Sequence, residues 1–272
     1  MVIIGRSQIA GGGTAKRLEF EYTGTYNERL DDGVVELLTS GVLTVTKDTA
    51  IDAFLVGGGA SGSGGSNAFN SLWNGGGGGG GGFTKTITNA LLQANVGYSI
   101  VIGAGGIALA RKEAYGKKGS AGGETTAFGY TVKGGSPSAN SELNGGNGGS
   151  GGGVGGGRNT SIGVTPGDGA SDGNDALTIN SRVGGTGQGT TTREFGETTG
   201  KLYAGGGAGA KSSESTTTAS GGDGGGGNQS ASGEANTGGG GGGGTVYVIS
   251  NEYASSPGSG GSGIVCIRLH KE

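Results

Sequence analysis

Few residues in this 272-residue chain could do chemistry, and most of them lack the partners that chemistry needs. The most tempting stretch is Val101-Ile102-Gly103-Ala104-Gly105-Gly106-Ile107-Ala108. It follows a strand-like run and approximates the glycine fingerprint that sets a dinucleotide pyrophosphate on a helix N-terminus, with alanine in the last place. A helix must follow, and Tyr115-Gly116-Lys117-Lys118-Gly119 breaks any helix early. A strand feeding a glycine segment is therefore the expectation. Asp172-Gly173-Asn174-Asp175 reads as half of a calcium β-roll repeat, but such repeats act in tandem and one copy is present. Asp168, Asp172 and Asp175 are thus weak candidates for one hard cation; a solvated turn is the plainer reading, and no metal or cofactor is expected. His270 is the sole histidine and Cys266 the sole cysteine. Catalytic triads and zinc sites lack parts, and Cys266, in the apolar run 264–269, reads as a buried inert thiol. The chain is not expected to be an enzyme.

The aromatic residues are more informative. Phe69 and Trp73 lie in a polar loop beside the longest glycine run. Tyr115 stands between Arg111-Lys112-Glu113 and Lys117-Lys118, and Tyr253 lies in the loop before the last apolar run. Aromatics among polar and cationic neighbours suit a receptor or glycan surface. Phe69, Trp73, Arg111, Tyr115, Lys117 and Tyr253 are accordingly the candidate binding residues. The alternative is that each aromatic folds back as a lid over the glycine. Phe20, Phe54, Phe83 and Phe128 sit in strand-like runs and are expected in the core.

These residues must be positioned by a chain with 74 glycines. Eight stand in a row at 75–82 and seven at 238–244, with shorter runs at 57–59, 151–153, 155–157, 205–207 and 224–227. Ordering glycine costs more backbone entropy than ordering any other residue. The runs are either disordered or held by something other than a side-chain core. The net charge of −3, the three prolines and the clustering of apolar residues in short alternating runs argue for a folded protein. A near-neutral chain gives no reason to expect nucleic acid or anionic membrane as a partner. The apolar stretches fall short of the roughly 20 residues of a membrane span, and the first residues lack the features of a secretory leader.

In chain order, residues 1–17 read as a docking arm. Residues 18–56 read as a β-rich base, with alternation in Leu18-Glu19-Phe20-Glu21-Tyr22, a turn at Asp31-Asp32-Gly33, and further strands up to Val56. Residues 57–272 form a glycine-rich domain packed on that base, with strands expected at 83–88, 98–102, 128–132, 246–249 and 263–269. The fold class is β-rich: an antiparallel, sandwich-like base with a bundle of polyglycine helices of polyproline-II type and long loops. Such helices have three residues per turn and no internal hydrogen bonds. Every amide must then find a partner on a neighbouring segment. Alanine substitutions along 75–82 should hurt with a period near three, and interruptions such as Asn147, Ser150 and Val154 should face outward.

Several segments carry a resemblance. Phe54-Leu55-Val56-Gly57-Gly58-Gly59, Tyr98-Ser99-Ile100-Val101-Ile102-Gly103-Ala104-Gly105-Gly106, Thr126-Ala127-Phe128-Gly129, Thr192-Arg193-Glu194-Phe195-Gly196, Gly200-Lys201-Leu202-Tyr203-Ala204-Gly205-Gly206-Gly207 and the ending 260–268 resemble the glycine-rich domain of phage and prophage tail proteins. The layout is similar to the adhesins at the long-tail-fibre tips of T-even phages, although the block 18–56 departs from them. The resemblance implies a virion tail component whose loops bind a bacterial surface glycan or protein. Other tail or baseplate proteins would be met through the N-terminal region. The copy number is open between a homotrimer and a single capping copy. The rival readings are a structural tail part without receptor contact and a glycine-rich matrix protein.

Overall fold

The computed structural model describes residues 3–6, 18–68, 72–138, 143–156, 165–169, 175, 190–212, 218–249 and 252–271. Its strands are β1 (Ile3–Arg6), β2 (Glu19–Tyr22), β3 (Tyr26–Arg29), β4 (Val34–Leu37), β5 (Gly41–Val45), β6 (Thr49–Val56), β7 (Ser66–Ala68) and β8 (Leu72–Asn74). There follow β9 (Thr84–Leu92), β10 (Gly97–Ile100), β11 (Thr125–Ala127), β12 (Tyr130–Val132), β13 (Val246–Ile249), β14 (Glu252–Ser255) and β15 (Ile264–Leu269). Among the described residues, helix is confined to two 3-10 turns, Thr190–Thr192 and Glu194–Gly196. None is long and apolar enough to cross a membrane.

Two antiparallel sheets share one core. The first has the order β1-β2-β5-β10 and the second β3-β4-β15-β6-β9. Period-two alternation turns Phe20, Tyr22, Leu43, Val45 and Ile100 of the first sheet toward Val35, Leu37, Ile51, Leu55, Val265 and Ile267 of the second. The opposite face of the second sheet is buried too. Val34, Phe54, Val56, Ile264 and Cys266 pack there against Phe195, Tyr203 and Ala204. That is why β6 and β15 read as unbroken apolar runs. The sandwich draws β1, β9, β10 and β15 from outside residues 18–56, so part of the expected 1–17 arm pairs into its first sheet. Phe20 and Phe54 are buried as expected. Phe128 is half-buried against the shared core, and Phe83 is half-buried. The expected strand 128–132 is a hairpin instead. Phe128 and Gly129 take positive φ, 52° and 80°, and form the two-residue turn between β11 and β12.

From Val56 the chain leaves the sandwich and enters the glycine segments. Their amides bond from segment to segment in a repeat of three. Gly57, Ala60 and Ser63 donate to the carbonyls of Phe83, Gly80 and Gly77. Gly58, Ser61 and Gly64 donate to Gly123, Ser120 and Lys117, and Gly59 and Gly62 to Gly261 and Gly258, all at 2.8–3.0 Å. Along 75–82, Gly75, Gly78 and Gly81 donate to Gly156, Gly153 and Ser150, while Gly76, Gly79 and Gly82 donate to Gly244, Gly241 and Gly238. Their carbonyls in turn accept from Ala210 and Gly207, from Gly146 and Gly149, and from Ser63 and Ala60.

This run is thus enclosed on every side. A Cβ built at any of its eight glycines would stand 1.8–2.3 Å from a neighbour's carbonyl oxygen. The expectation of a period-three sensitivity to alanine is corrected: three faces are all blocked, because neighbouring backbones surround the segment. The interruptions also differ from expectation. Asn147 is exposed, but Ser150 and Val154 are fully buried, as are Ala60 and Ser61. Small side chains fill gaps inside the array rather than marking its rim.

Gly78→Ala, Gly79→Ala and Gly80→Ala should therefore each lower unfolding stability by about 3 kcal/mol or more, at the upper end of overpacking costs. Gly129→Ala, where no atom lies within 4 Å of the added Cβ, should cost only the roughly 1–2 kcal/mol of a left-handed residue. Denaturant unfolding of the four variants checks this; tolerance of alanine at one face of the run would refute the enclosure.

Candidate functional site

Three chain excursions meet where the glycine segments end. The 57–65 segment leads into the hairpin β7–β8, and 75–82 leaves it. The 238–244 segment leads into the hairpin β13–β14. The third excursion is the turn 110–117, in which the Ala114 amide donates to the Ala110 carbonyl at 2.8 Å. Gly65 is their common junction. Its amide donates to Ser255 Oγ at 2.9 Å and its carbonyl accepts from Gly116 at 2.9 Å. An added Cβ there would meet the Asn74 carbonyl and the Val246 side chain.

Side chains tie the excursions further. Tyr115 and Tyr253 stack with ring centroids 5.3 Å apart and planes 14° from parallel. Lys112 pairs with Glu252, and the ammonium holds that carboxyl below its ordinary pKa. Ser255 donates its amide to the Arg111 carbonyl at 2.9 Å. Arg111 and Lys117 are exposed, Tyr253 is 41 % exposed and Tyr115 half-buried. Four of the six candidate residues, Arg111, Tyr115, Lys117 and Tyr253, thus lie together at one end. Trp73 belongs to β8, opposite Asn67 in the ladder. Phe69 lies outside the described residues. Neither the Tyr115–Tyr253 stack nor the Lys112–Glu252 pair has a sequence signal, since the partners are more than a hundred positions apart.

The other chemistry-bearing residues serve structure. In the stretch 101–106, the Gly103 amide donates to Thr125 Oγ1 and the Gly106 amide to the Gly59 carbonyl. A Cβ at Gly105 would stand 2.0 Å from the Gly260 carbonyl oxygen. Protein backbone fills the place a pyrophosphate would need. Asp168 exchanges two hydrogen bonds with Asn147, and Asp175 accepts from the Gly169 amide at 2.6 Å. Asp172 lies outside the described residues, and among those described no cluster of His, Cys, Asp and Glu is arranged for a metal. Cys266 is fully buried, and burial pushes its thiol pKa well up. Its sulfur lies 3.5 Å from the Tyr203 hydroxyl.

Sequence reasoning missed two buried ionic groups. Arg29 reaches Glu194 at 2.5 Å, Glu36 at 3.4 Å and Asp32 at 3.5 Å. They fasten the 190–204 stretch over the second sheet. Asp52, 4 % exposed, bonds His270 Nδ1 at 2.6 Å, Arg268 Nε at 3.3 Å and the Asn89 amide at 3.1 Å. Arg268 also pairs with Glu197 at 2.7 Å and lies over the Phe195 ring. A separate groove of about 590 Å3 lies beside β9, lined by Asn89, Leu91, Tyr98, Phe128 and Tyr130 among others. None of the candidate residues lines it.

The fold and this loop end define a glycine-rich β protein, with connecting excursions gathered at one end of a backbone-bonded array. A family model described as a glycine-rich domain matches residues 38–270. The chain belongs to that glycine-rich domain family. A search of curated proteins returned no match.

Burial alone would raise the Asp52 pKa, but the His270 hydrogen bond, the Asn89 amide and the charges of His270 and Arg268 together hold it below the ordinary 3.8. A depressed carboxyl pKa stabilises the fold above the unfolded value and loses that contribution as pH falls through the folded value. The stability gap between wild type and Asp52→Asn should therefore be steady above that range and narrow as pH drops below about 3.8. Thermal unfolding from pH 6 to pH 2 measures it; a gap unchanged at the acid end would contradict the assignment.

Proposed function

We propose that the chain is a phage tail component acting as a receptor-binding adhesin, with its loops held on a platform of polyglycine helices. The observation that carries the reading is the convergence of hairpin β7–β8, turn 110–117 and hairpin β13–β14 on Gly65, with cationic and aromatic side chains at that end. Binding residues on loops fixed to a rigid scaffold are a recurrent solution to recognition. The repeat of three in the donors along 57–65 and 75–82 is what packed polyglycine helices of polyproline-II type would give. On this reading the array is the stiff element, and the ligand is a bacterial surface glycan or protein.

The opposite end supports a docking role. Leu91 is 78 % exposed and Val96 40 % exposed around the β9–β10 connection, and Val42 on the neighbouring β5 is 41 % exposed. Exposed apolar surface of this kind marks protein contacts. We assign that end to other tail or baseplate proteins and the loop end to the host. Weak single-site affinity would be multiplied by copies on one particle.

Two measurements test the reading. Amide hydrogen exchange should show the 75–82 glycines protected nearly as well as the core of β6 and β15; rapid exchange there would remove the rigid platform. Exchanging 66–74 and 110–117 for the loops of a relative with another host should change the host to which particles adsorb. Adsorption that ignores the exchange would favour a structural tail part.

A further inference from the structure

We infer that the turn 110–117 is an anion-binding edge and that its ligand is an anionic polysaccharide; this rests on the adhesin reading and specifies its ligand. Residues 111–118 carry four cations, Arg111, Lys112, Lys117 and Lys118, against the single carboxylate Glu113, in a chain whose net charge is −3. Lys112 is neutralised by Glu252 across the site. Arg111 and Lys117 stand exposed at opposite ends of the turn.

The backbone beneath these two cations is fixed. The Arg111 carbonyl accepts from Ser255 at 2.9 Å, which ties it to β14. The Lys117 carbonyl accepts from Gly64 at 2.8 Å, which ties it to the glycine array. Between them, Ala114 is fully buried and its carbonyl oxygen would lie 1.7 Å from a Cβ on Gly64. The turn is plugged into the array, so only the side chains lose freedom when a ligand binds, and a preorganised site loses less entropy on association.

Charge and chemistry narrow the ligand class. An acidic chain repels a continuous polyanion such as nucleic acid over most of its surface. Sparse carboxylate, phosphate or sulfate groups spaced along neutral sugars meet the two cations without that repulsion. The Tyr115–Tyr253 stack between the two excursions supplies aromatic surface beside the cations, a combination suited to sugar rings.

Dextran sulfate and unsubstituted dextran of matched length are the probes, with the full chain immobilised. The wild type should retain dextran sulfate at low ionic strength, release it as salt rises, and ignore dextran. Arg111→Gln with Lys117→Gln should weaken binding about tenfold. Lys47→Gln with Lys271→Gln, two exposed cations of the sandwich, should leave it unchanged. Arg111→Lys with Lys117→Arg should bind like wild type, which keeps the test open if the glutamine variant folds poorly. Unchanged retention by the glutamine variant, or equal loss in both glutamine pairs, overturns the assignment. The adhesin reading survives that result as long as exchanging 66–74 still alters adsorption.

Discussion

A backbone carbonyl can lie against a backbone Cα only if no Cβ intervenes, and the glycine array is built on that approach. Segments at 57–65, 75–82, 146–156, 204–210 and 238–244 exchange backbone hydrogen bonds mainly with one another. Each buried amide must be paired, and along 57–64 and 75–82 the partner is a part of the chain distant in sequence. Glycine is required along 75–82 because at each residue the place a Cβ would take is occupied by a neighbour's carbonyl oxygen. The entropy lost in ordering glycine is offset by these bonds and by close backbone packing, not by buried apolar side chains.

The sandwich supplies what the array lacks. Its shared core is conventional, with alternating strands turning aliphatic and aromatic side chains inward. β6 links the two regimes, since its residues pack on both faces of the second sheet before the chain enters 57–65. The outer face is sealed by Phe195 and Tyr203, whose rings lie 6.4 and 5.4 Å from Phe54. Buried carboxylates accompany that seal. Unpaired, Glu36, Glu194 and Asp52 would be costly there; paired with Arg29, Arg268 and His270 they fix how the 190–204 stretch and β15 sit.

The loop end depends on both regimes. The sandwich fixes one end of the glycine segments, the array carries that order to Gly65, and the excursions inherit it. A turn with three cations would be mobile if it hung from a flexible linker. Here Ala114 is held inside the array and the flanking carbonyls are bonded, so the charged side chains start from a defined backbone. The contrast with the groove beside β9 is one of chemistry: that surface carries no charged lining residue, whereas the loop end carries several.

Composition and local pattern alone determined that the chain is β-rich, that Phe20, Phe54 and Cys266 are interior, and that the glycine, once ordered, is held by something other than a side-chain core. These follow from period-two alternation and from the lack of side chains to bury, both local properties. The candidate residues were legible as types, aromatic and cationic among polar neighbours. Only the tertiary structure decided that Arg111, Tyr115, Lys117 and Tyr253 share one end, because Tyr115 and Tyr253 come together through pairings that local sequence does not encode. It also decided that Phe128 and Gly129 turn rather than extend, and that Ser150 and Val154 point inward. In a three-residue repeat any face can be outward, and which one is depends on how many neighbours the packing supplies.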